Sequence, residues 1–382
     1  MYLLKSFRFI SNRRIRVKEL VQKSALAVKP YIPGKPIEET KRQLGLKQIF
    51  KLASNENPLG PSPKAVNAIK KCLAGINRYP DSKGFYLKKK LAKYFSLSAE
   101  NFVLGNGSDE LIDVLIKTFV EPDENIVTAD TTFLEYKIIA QVNARKVKKA
   151  ALRYFKYDLE AILKLVDKKT KLIFIANPNN PTGTYVTREE VKKFLNALPE
   201  RVIVVFDEAY DAFIDVDDYP NSLSYLKNRK KIVILRTFSK AYGLAGLRLG
   251  YAIAQPELVT YMERIRQPFN VNSLAQAAGL AAIDDSDFLK KTRRLTLEGK
   301  NFIYQELSKM GLGYVPSVAN FILIDTGTDS LKVFKSMLKF GVIVRDMKQY
   351  GLNNFIRLTI GTPKENSRSM QVLRKVLGGQ SR

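Results

Sequence analysis

The sequence predicts an α/β fold, with a mostly parallel central sheet flanked by helices and a smaller α+β unit after it. Short apolar runs alternate with helical patterns through the middle of the 382-residue chain, and this alternation is typical of open parallel sheets. A polar cluster follows each of three runs, where sheets of this kind bind their ligands. Long amphipathic helical patterns and a few shorter apolar runs come afterwards, which indicates the second unit.

The predicted strands are short runs rich in Val, Ile, Leu and Phe. They cover residues 171–176, 202–206, 232–235 and 249–254 in the middle of the chain, and residues 320–325, 342–345 and 356–360 in its C-terminal part. Between the first two strands we expect a helix over residues 187–198. Thr187 begins it and Glu190 follows three residues later, which is the spacing of a capping box.

The composition restricts the chemistry. The chain contains no histidine, which excludes catalytic triads with histidine, zinc sites built on imidazole and haem held by a proximal histidine, and we expect no metal site. Proton transfer near pH 7 must then use a carboxylate, a tyrosine or a lysine of lowered pKa. Cys72 is the single cysteine, so an internal disulfide is excluded and a reducing compartment is compatible with the sequence.

The chain is strongly basic, with 64 Lys and Arg against 37 Asp and Glu and a formal net charge of +27. Nucleic acid, small phosphorylated ligands or a solvated lysine-rich surface would each account for this charge. The basic residues are spread along the whole chain and form no known nucleic-acid-binding motif, so we expect no nucleic-acid partner. No apolar run approaches the roughly 18 residues that a membrane span needs, so we expect no membrane partner either.

Three polar clusters follow the predicted strands. They are residues 177–183 (NPNNPTG), residues 207–210 (DEAY) and residues 237–240 (TFSK), with Arg248 eight residues after the last. The lysine suits a Schiff base beside an anion site, the aspartate can keep a ring nitrogen protonated, and an asparagine and a tyrosine can hydrogen-bond a phenolic oxygen. These are the needs of pyridoxal 5'-phosphate (PLP). Each element alone also fits a surface charge or a helix cap, but their order on successive strands favours the cofactor.

These clusters resemble the signature blocks of the class I/II aminotransferases, which are PLP-dependent enzymes of fold type I. Further blocks narrow the resemblance to the histidinol-phosphate aminotransferases within that class. They are KLASNENPLG at 51–60, RYPD at 78–81, GNGSDE at 105–110, RQPFNVN at 266–272 and IRLTIGT at 356–362. The resemblance extends from about Val28 to about Leu377. It departs from the family at Thr131, where a proline usually precedes the Thr-Phe pair.

The resemblance implies roles for the residues around the ring of PLP. Lys240 would bind the cofactor covalently and, once substrate has displaced it, would move the catalytic proton. Asp207 would pair with the pyridinium nitrogen. Asn177 and Tyr210 would hydrogen-bond the phenolic O3′, and Phe133 would stack on the ring.

The resemblance also places the phosphate of PLP at the start of a helix that begins near Ser108. The backbone N–H groups and the dipole of a helix N-terminus favour anions. The other phosphate partners would be Asp109, Thr237, Ser239 and Arg248. In this family the tyrosine of the RYPD block reaches the cofactor phosphate of the neighbouring subunit, so Tyr79 implies a homodimer with composite active sites.

Two arginines are implied as the substrate-binding groups. Arg357 matches the arginine that binds the substrate carboxylate, and Arg345 would add the charge that a phosphate dianion needs. Asn55 and Tyr31 match positions near the substrate. The implied reaction is transamination of L-histidinol phosphate with 2-oxoglutarate to imidazole-acetol phosphate and L-glutamate, in histidine biosynthesis.

The expected organisation has four segments. They are a basic N-terminal extension (1–27), an arm that joins the small domain (28–60), a large PLP-binding domain (61–275) and a small C-terminal domain (276–382). The first eighteen residues contain six basic residues and no acidic one, a pattern shared by transit peptides and by simple basic extensions. We expect a cytoplasmic enzyme, with organellar targeting as the other interpretation of this segment.

Other functions remain open from the sequence. An aromatic or broad-range aminotransferase would share these blocks, and a threonine-phosphate decarboxylase would have a similar site. A transcription regulator on the same fold is a third alternative, but it would carry a winged-helix domain ahead of the aminotransferase portion. Only about 27 residues precede the resemblance here.

Overall fold

The computed structural model describes residues 16–30, 34–228 and 231–378. Within them the α-helices are α1 (Val17–Leu20), α2 (Lys23–Ala27), α3 (Ile37–Leu44), α4 (Pro63–Cys72), α5 (Phe85–Phe95), α6 (Ser108–Phe119), α7 (Glu135–Val142), α8 (Leu159–Lys164), α9 (Arg188–Ala197), α10 (Ser222–Asn228), α11 (Pro256–Ile265), α12 (Ser273–Ala282), α13 (Ser286–Lys309), α14 (Ser330–Lys339) and α15 (Pro363–Gly378). The strands are β1 (Phe50–Lys51), β2 (Phe102–Gly105), β3 (Asn125–Ala129), β4 (Lys146–Ala150), β5 (Thr170–Ala176), β6 (Ile203–Asp207), β7 (Ile232–Thr237), β8 (Gly250–Ala254), β9 (Tyr314–Val315), β10 (Phe321–Asp325), β11 (Val342–Ile343), β12 (Arg345–Asp346) and β13 (Phe355–Thr359).

The central sheet has seven strands in the order β2-β8-β7-β6-β5-β3-β4. Strands β4, β3, β5, β6 and β7 run parallel, and only β8 pairs antiparallel, with both of its neighbours. The inner strands are buried almost along their whole length, as expected for strands covered by helices on both faces. The structure therefore confirms the mostly parallel α/β fold.

Local sequence signals explain where the central elements begin and end. The predicted strands at 171–176, 202–206, 232–235 and 249–254 correspond to β5–β8 within two residues at each end. The predicted helix is α9, and both hydrogen bonds of its capping box form between Thr187 and Glu190. Helix α4 begins with Pro63 behind a Ser62 cap, since proline is well suited to the first turn of a helix.

The C-terminal part contains a second sheet, antiparallel, in the order β12-β13-β10-β9. The predicted strands at 320–325 and 356–360 correspond to β10 and β13. The predicted strand at 342–345 is in fact two strands, because β11 pairs with β1 while β12 pairs with β13. The chain changes partner at Val344, and an apolar run cannot report such a change.

The arm that precedes the central sheet packs on the C-terminal unit. β1 pairs parallel with β11, and Leu52 is buried among apolar residues of that unit, including Ile322 and Leu358. The predicted domain boundary at residue 275 lies inside α12, which contacts α4 and α5. The division into domains stays a prediction.

Across the described residues, no helix combines the length and the apolar character required to cross a bilayer.

Candidate active site

The candidate site is a cleft of about 830 Å³ at the carboxyl ends of the central parallel strands. β5, β6 and β7 each end in a polar cluster at this edge, as the order of polar residues along the chain predicts. Many of the predicted site residues line the cleft together: Lys240, Asp207, Tyr210, Phe133, Ser108, Asp109, Thr237, Ser239, Arg248, Arg357, Arg345 and Asn55.

Lys240 reaches the cleft from the turn that follows β7. Its Nζ donates to the carbonyl oxygen of Ser54 over 3.3 Å and lies 5.8 Å from the centre of the Tyr210 ring. The turn closes through a hydrogen bond from Gly243 N to the Lys240 carbonyl. Gly243 has φ +70°, and a Cβ there would overlap the carbonyl oxygen of Gly60. Glycine is therefore required at 243 for the turn to pack as it does.

Asp207 is a buried carboxylate at the end of β6. One oxygen, Oδ2, accepts a hydrogen bond from the Tyr136 hydroxyl over 2.6 Å, and Oδ1 accepts one from Ala209 N over 3.2 Å. Burial raises the pKa of Asp207 to about 6, although both hydrogen bonds act in the opposite direction. A cation placed beside this carboxylate would lower its pKa again, because opposite charges favour the ionised form.

One corner of the cleft combines the features that bind anions. The N-terminus of α6 opens there, preceded by Gly107 at φ +82°. The Arg248 guanidinium pairs with Asp109 at 3.0 Å and lies 3.5 Å from Ser239 Oγ. A Cβ at Gly107 would overlap that guanidinium. Together, free helix amides, an arginine and hydroxyl groups suit a phosphate.

Two arginines also line the cleft. Arg345 on β12 and Arg357 on β13 lie directly opposite each other in the antiparallel pair, so their side chains share one face. Both residues are buried. The Arg357 guanidinium bonds Asn180 Oδ1 and the Ala53 carbonyl, and its Nε lacks a hydrogen-bond partner among the described residues. This side of the cleft is suited to a carboxylate or a phosphate.

Asn55 and Tyr210 form a hydrogen-bonded pair in the cleft. Asn55 Nδ2 donates to the Tyr210 hydroxyl over 2.8 Å, and Asn55 itself is held by Thr359 and Asn320. Burial raises the pKa of Tyr210, while the charge of Arg357 lowers it. The Tyr210 hydroxyl is thus kept as a neutral donor within the cleft.

Three predicted site residues are not among those lining the cleft. Asn177 is buried behind it, where its Oδ1 accepts from Val186 N over 2.9 Å. Tyr79 is 83% exposed and stacks on Phe269 at 4.7 Å, in a separate groove. Tyr31 lies outside the described residues.

The cleft also contains residues that the sequence reasoning missed. Tyr136 contacts Asp207, Asn180 contacts Arg357, and Ser54 contacts Lys240. Asn180 belongs to the NPNNPTG cluster and Ser54 precedes Asn55, so both were adjacent to recognised signals. Tyr136 stands three residues after Phe133, in the first turn of α7, but nothing in the sequence indicated its partner.

Comparison with known proteins identifies the class. The family Aminotransferase class I and II matches residues 47–373, and the chain belongs to this family. A histidinol-phosphate aminotransferase from Moorella thermoacetica is 45% identical over 377 residues, covering 96% of this chain and 98% of the relative. The crystal structure of histidinol-phosphate aminotransferase from Sinorhizobium meliloti in complex with pyridoxal-5'-phosphate has a TM-score of 0.87 at 28% identity, covering 94% of this chain and 98% of that one. Aspartate aminotransferase from Thermus thermophilus with maleate, at 20% identity and a TM-score of 0.79 over 94% of this chain and 98% of that one, shares the fold.

Proposed function

We propose that this chain is a PLP-dependent aminotransferase that moves the amino group of L-histidinol phosphate to 2-oxoglutarate, giving imidazole-acetol phosphate and L-glutamate in histidine biosynthesis. The observation that carries the proposal is the cleft itself. It brings together Lys240, the buried Asp207, the anion-binding corner and the arginine pair Arg345 and Arg357. Relatives of 45% identity over nearly the whole chain are named for this substrate.

The residues of the cleft fit PLP group by group. Lys240 would carry the cofactor through its amine, and Asp207 would hold a proton on the ring nitrogen. Phe133 would cover one ring face. Tyr210 would hydrogen-bond the phenolic oxygen, whereas the Asn177 amide is engaged with Val186 and would have to turn or share its donor to take part.

The anion-binding corner would hold the phosphate of PLP. The first N–H groups of α6 lack intrahelical acceptors, so they can donate to phosphate oxygens. Arg248 would contribute a charged donor from the other side. The residues proposed for this corner are Ser108, Asp109, Thr237, Ser239 and Arg248.

The protein's own groups would perform the positioning and the proton transfer. When bound, PLP supplies an electron sink for the carbon that loses its proton. Arg357 would bind the anionic end of the substrate and orient the carbon that bears the amino group. Lys240 Nζ would take the proton from that carbon and return it to the C4′ carbon of the cofactor.

The arginine pair would let one site accept two different anions. Glutamate presents a carboxylate, while histidinol phosphate presents a phosphate in the corresponding place. A phosphate dianion has more charge and one more oxygen, and the second guanidinium at Arg345 would match both. Asn55, and Tyr31 by its resemblance, complete the proposed substrate-binding set.

The test is a steady-state comparison of amino donors with 2-oxoglutarate as acceptor. We expect kcat/KM for histidinol phosphate to exceed that for phenylalanine or tyrosine by at least about 100-fold, since the carboxylate of these amino acids has less charge and one oxygen fewer than the phosphate that both arginines would bind. Equal kcat/KM for histidinol phosphate and phenylalanine would instead identify an aromatic aminotransferase. Release of CO2 without amino transfer would identify a decarboxylase.

We further propose a homodimer in which Tyr79 completes the partner's site. In support, Tyr79, Phe269, Phe85 and Tyr86 expose large apolar areas in one region, and such patches mark protein interfaces. Mixing a Lys240→Ala chain with a Tyr79→Ala chain tests the proposal. Composite sites predict one intact site in each mixed dimer, so random pairing should regain about a quarter of wild-type activity, whereas independent sites predict no gain. We also propose the cytoplasmic location and the division into four segments that were inferred from the sequence and its resemblance to the family.

A further inference from the structure

Tyr136 is a buried tyrosine in the candidate site that none of the roles above uses. Its side chain is fully buried, and its hydroxyl donates to Asp207 Oδ2 over 2.6 Å. Its ring stacks on Phe174 of β5, with ring centres 4.9 Å apart and planes 16° apart. Helix α7 and the central sheet thus fix both the ring and the hydroxyl of Tyr136.

We propose that Tyr136 is a positioning residue, which keeps Asp207 ionised and oriented toward the ring nitrogen of the cofactor. The inference rests on the proposed function, because Asp207 pairs with a ring nitrogen only if PLP is the cofactor. Tyr136 acts through Asp207 and takes no part in the proton transfer assigned to Lys240.

The hydrogen bonds to Asp207 fix the orientation of its carboxylate. A carboxylate at the end of a side chain can rotate, but Asp207 has each oxygen tied to a donor, Oδ2 to Tyr136 and Oδ1 to Ala209 N. Because both oxygens are held, the plane of the carboxylate is fixed. The lone pairs that remain available to a ligand therefore keep a fixed orientation. A partner that fixes the orientation of a ligand-binding group commonly matters nearly as much as the group itself.

Tyr136 also favours the ionised form of Asp207 over the protonated form. The titratable groups that face Asp207 are tyrosines and acids from several elements: Tyr136, Tyr157, Tyr210, Tyr219, Asp109 and Glu208. Burial and the two acids raise the pKa of Asp207. Among the strongest influences, only the Tyr136 hydroxyl and the Ala209 amide favour the carboxylate, because a hydrogen bond to the charged form stabilises it.

Tyr136 also packs against Phe133, the residue proposed to stack on the cofactor ring. Phe133 and Tyr136 meet edge to face, with ring centres 5.6 Å apart. The same stretch of chain therefore sets the face of the cofactor pocket and the donor to Asp207. A Tyr136→Phe substitution keeps this packing and removes only the hydroxyl, so its effects report on the hydrogen bond.

The experiment measures PLP affinity in a double-mutant cycle. Each enzyme is purified as holoenzyme, stripped and titrated with PLP: wild type, Tyr136→Phe, Asp207→Asn and the double variant. We expect Tyr136→Phe to weaken the affinity by roughly tenfold or more, as for loss of a hydrogen bond to a charged group. In the Asp207→Asn background the same change should alter the affinity by less than about twofold. Tyr304→Phe is the matched control, since its hydroxyl bonds Ser317 N away from the cleft.

A pH series separates positioning from a structural role. PLP affinity should fall as Asp207 is protonated, and the midpoint of that fall should lie at higher pH in Tyr136→Phe than in wild type. Site-specific 3-fluorotyrosine at 136 is a second variant that retains the shape; its stronger donor should move the midpoint to lower pH. Equal losses in both backgrounds, or midpoints that do not move in either variant, would overturn the inference. Failure of the wild-type chain to bind PLP would refute the proposed function instead.

Discussion

At the scale of single residues, the candidate site brings a buried acid and a pair of arginines into one cleft with Lys240. Asp207 has a raised pKa because it is buried, while Arg345 and Arg357 place two positive charges on neighbouring strands. Burial of each of these charged groups costs free energy that a bound ligand of opposite charge would offset. The site is therefore organised for a bound cofactor and an anionic substrate.

Stability of the cofactor-free protein should depend on Asp207. Folding raises the pKa of Asp207 from 3.8 to about 6. The stability that the protonated acid contributes is therefore complete below pH 3.8 and is lost as the pH rises through about 6. Relative to Asp207→Asn, the wild-type protein without PLP should lose about 3 kcal/mol of unfolding free energy across that interval, since one pKa unit corresponds to roughly 1.4 kcal/mol. Denaturant titrations at a series of pH values measure the difference. Parallel pH profiles for the two proteins would contradict the prediction.

Arg345 should matter more for the phosphorylated donor than for glutamate. In Arg345→Gln we expect kcat/KM for histidinol phosphate to fall by about 100-fold and that for glutamate by about tenfold, because loss of one partner of a desolvated charge pair costs about 2 kcal/mol or more and the dianion needs both guanidinium groups. Steady-state kinetics of both half-reactions measure this. Arg374→Gln, which removes an exposed arginine paired with Glu306, is the control; equal losses for the two donors would disprove the role.

At the scale of elements, the turn before α6 is held by a network outside the cleft. Glu110 Oε2 accepts hydrogen bonds from Asn106 N and from Asn270 Nδ2, both over 2.6 Å. Asn270 also donates to the Leu104 carbonyl and accepts from Arg266. The anion-binding corner thus depends on a segment that follows α11, far along the chain.

Loss of Asn270 should weaken PLP binding without removing a contact to it. In Asn270→Ala the hydrogen bonds from Nδ2 to Glu110 Oε2 and to the Leu104 carbonyl are lost, so Glu110, which accepts from Asn106 N, loses its support. We expect roughly a tenfold weaker PLP affinity, in line with one buried hydrogen bond of about 1.5 kcal/mol. Asn143→Ala is the matched control, because Asn143 makes a similar bond to Asp113 further along α6. If both variants bind PLP equally well, the network does not support the corner.

At the scale of the whole molecule, a buried lysine connects the C-terminal unit to the central one. Lys300 of α13 bonds Asp215 Oδ2 over 2.6 Å and the Ser317 carbonyl over 2.9 Å. Lys300 is buried while Asp215 is partly exposed. This ion pair joins α13 to the loop that follows β6 and its catalytic cluster.

Removal of the Lys300 charge should destabilise the fold. Lys300→Met leaves Asp215 and a buried carbonyl unpaired, and we expect a loss of about 2 kcal/mol of unfolding free energy, less than the loss for a fully buried pair because Asp215 is partly solvated. Lys290→Met, which breaks an exposed pair with Asp287, should change stability by less than about 0.5 kcal/mol. Equal effects in urea titrations would show that the connection is unimportant.

The sequence predicted the parts of the structure that depend on local pattern. β5–β8 and the capping box of α9 followed from periodicity and spacing, and the lysine, the buried acid and the arginines followed from the blocks that resemble a family. The split of 342–345 into β11 and β12 could not be predicted, because it depends on pairing partners elsewhere in the chain. β11 pairs with β1, more than 290 residues earlier, while β12 pairs with β13, and a local pattern does not specify such partners. The Tyr136–Asp207 bond joins residues 71 positions apart, and no local signal reports it.

The cross-strand arginine pair has a consequence for how the molecule responds to its ligands. Like charges directly opposite in an antiparallel pair repel each other, and β12 is the edge strand of its sheet. In the proposed function, an anion bound between Arg345 and Arg357 would act as a shared counterion, so substrate binding would stabilise the edge strand as well as orient the reacting carbon. Amide hydrogen exchange in β12 should therefore slow on addition of substrate, and each turnover would pass through a tightening and a loosening of this edge.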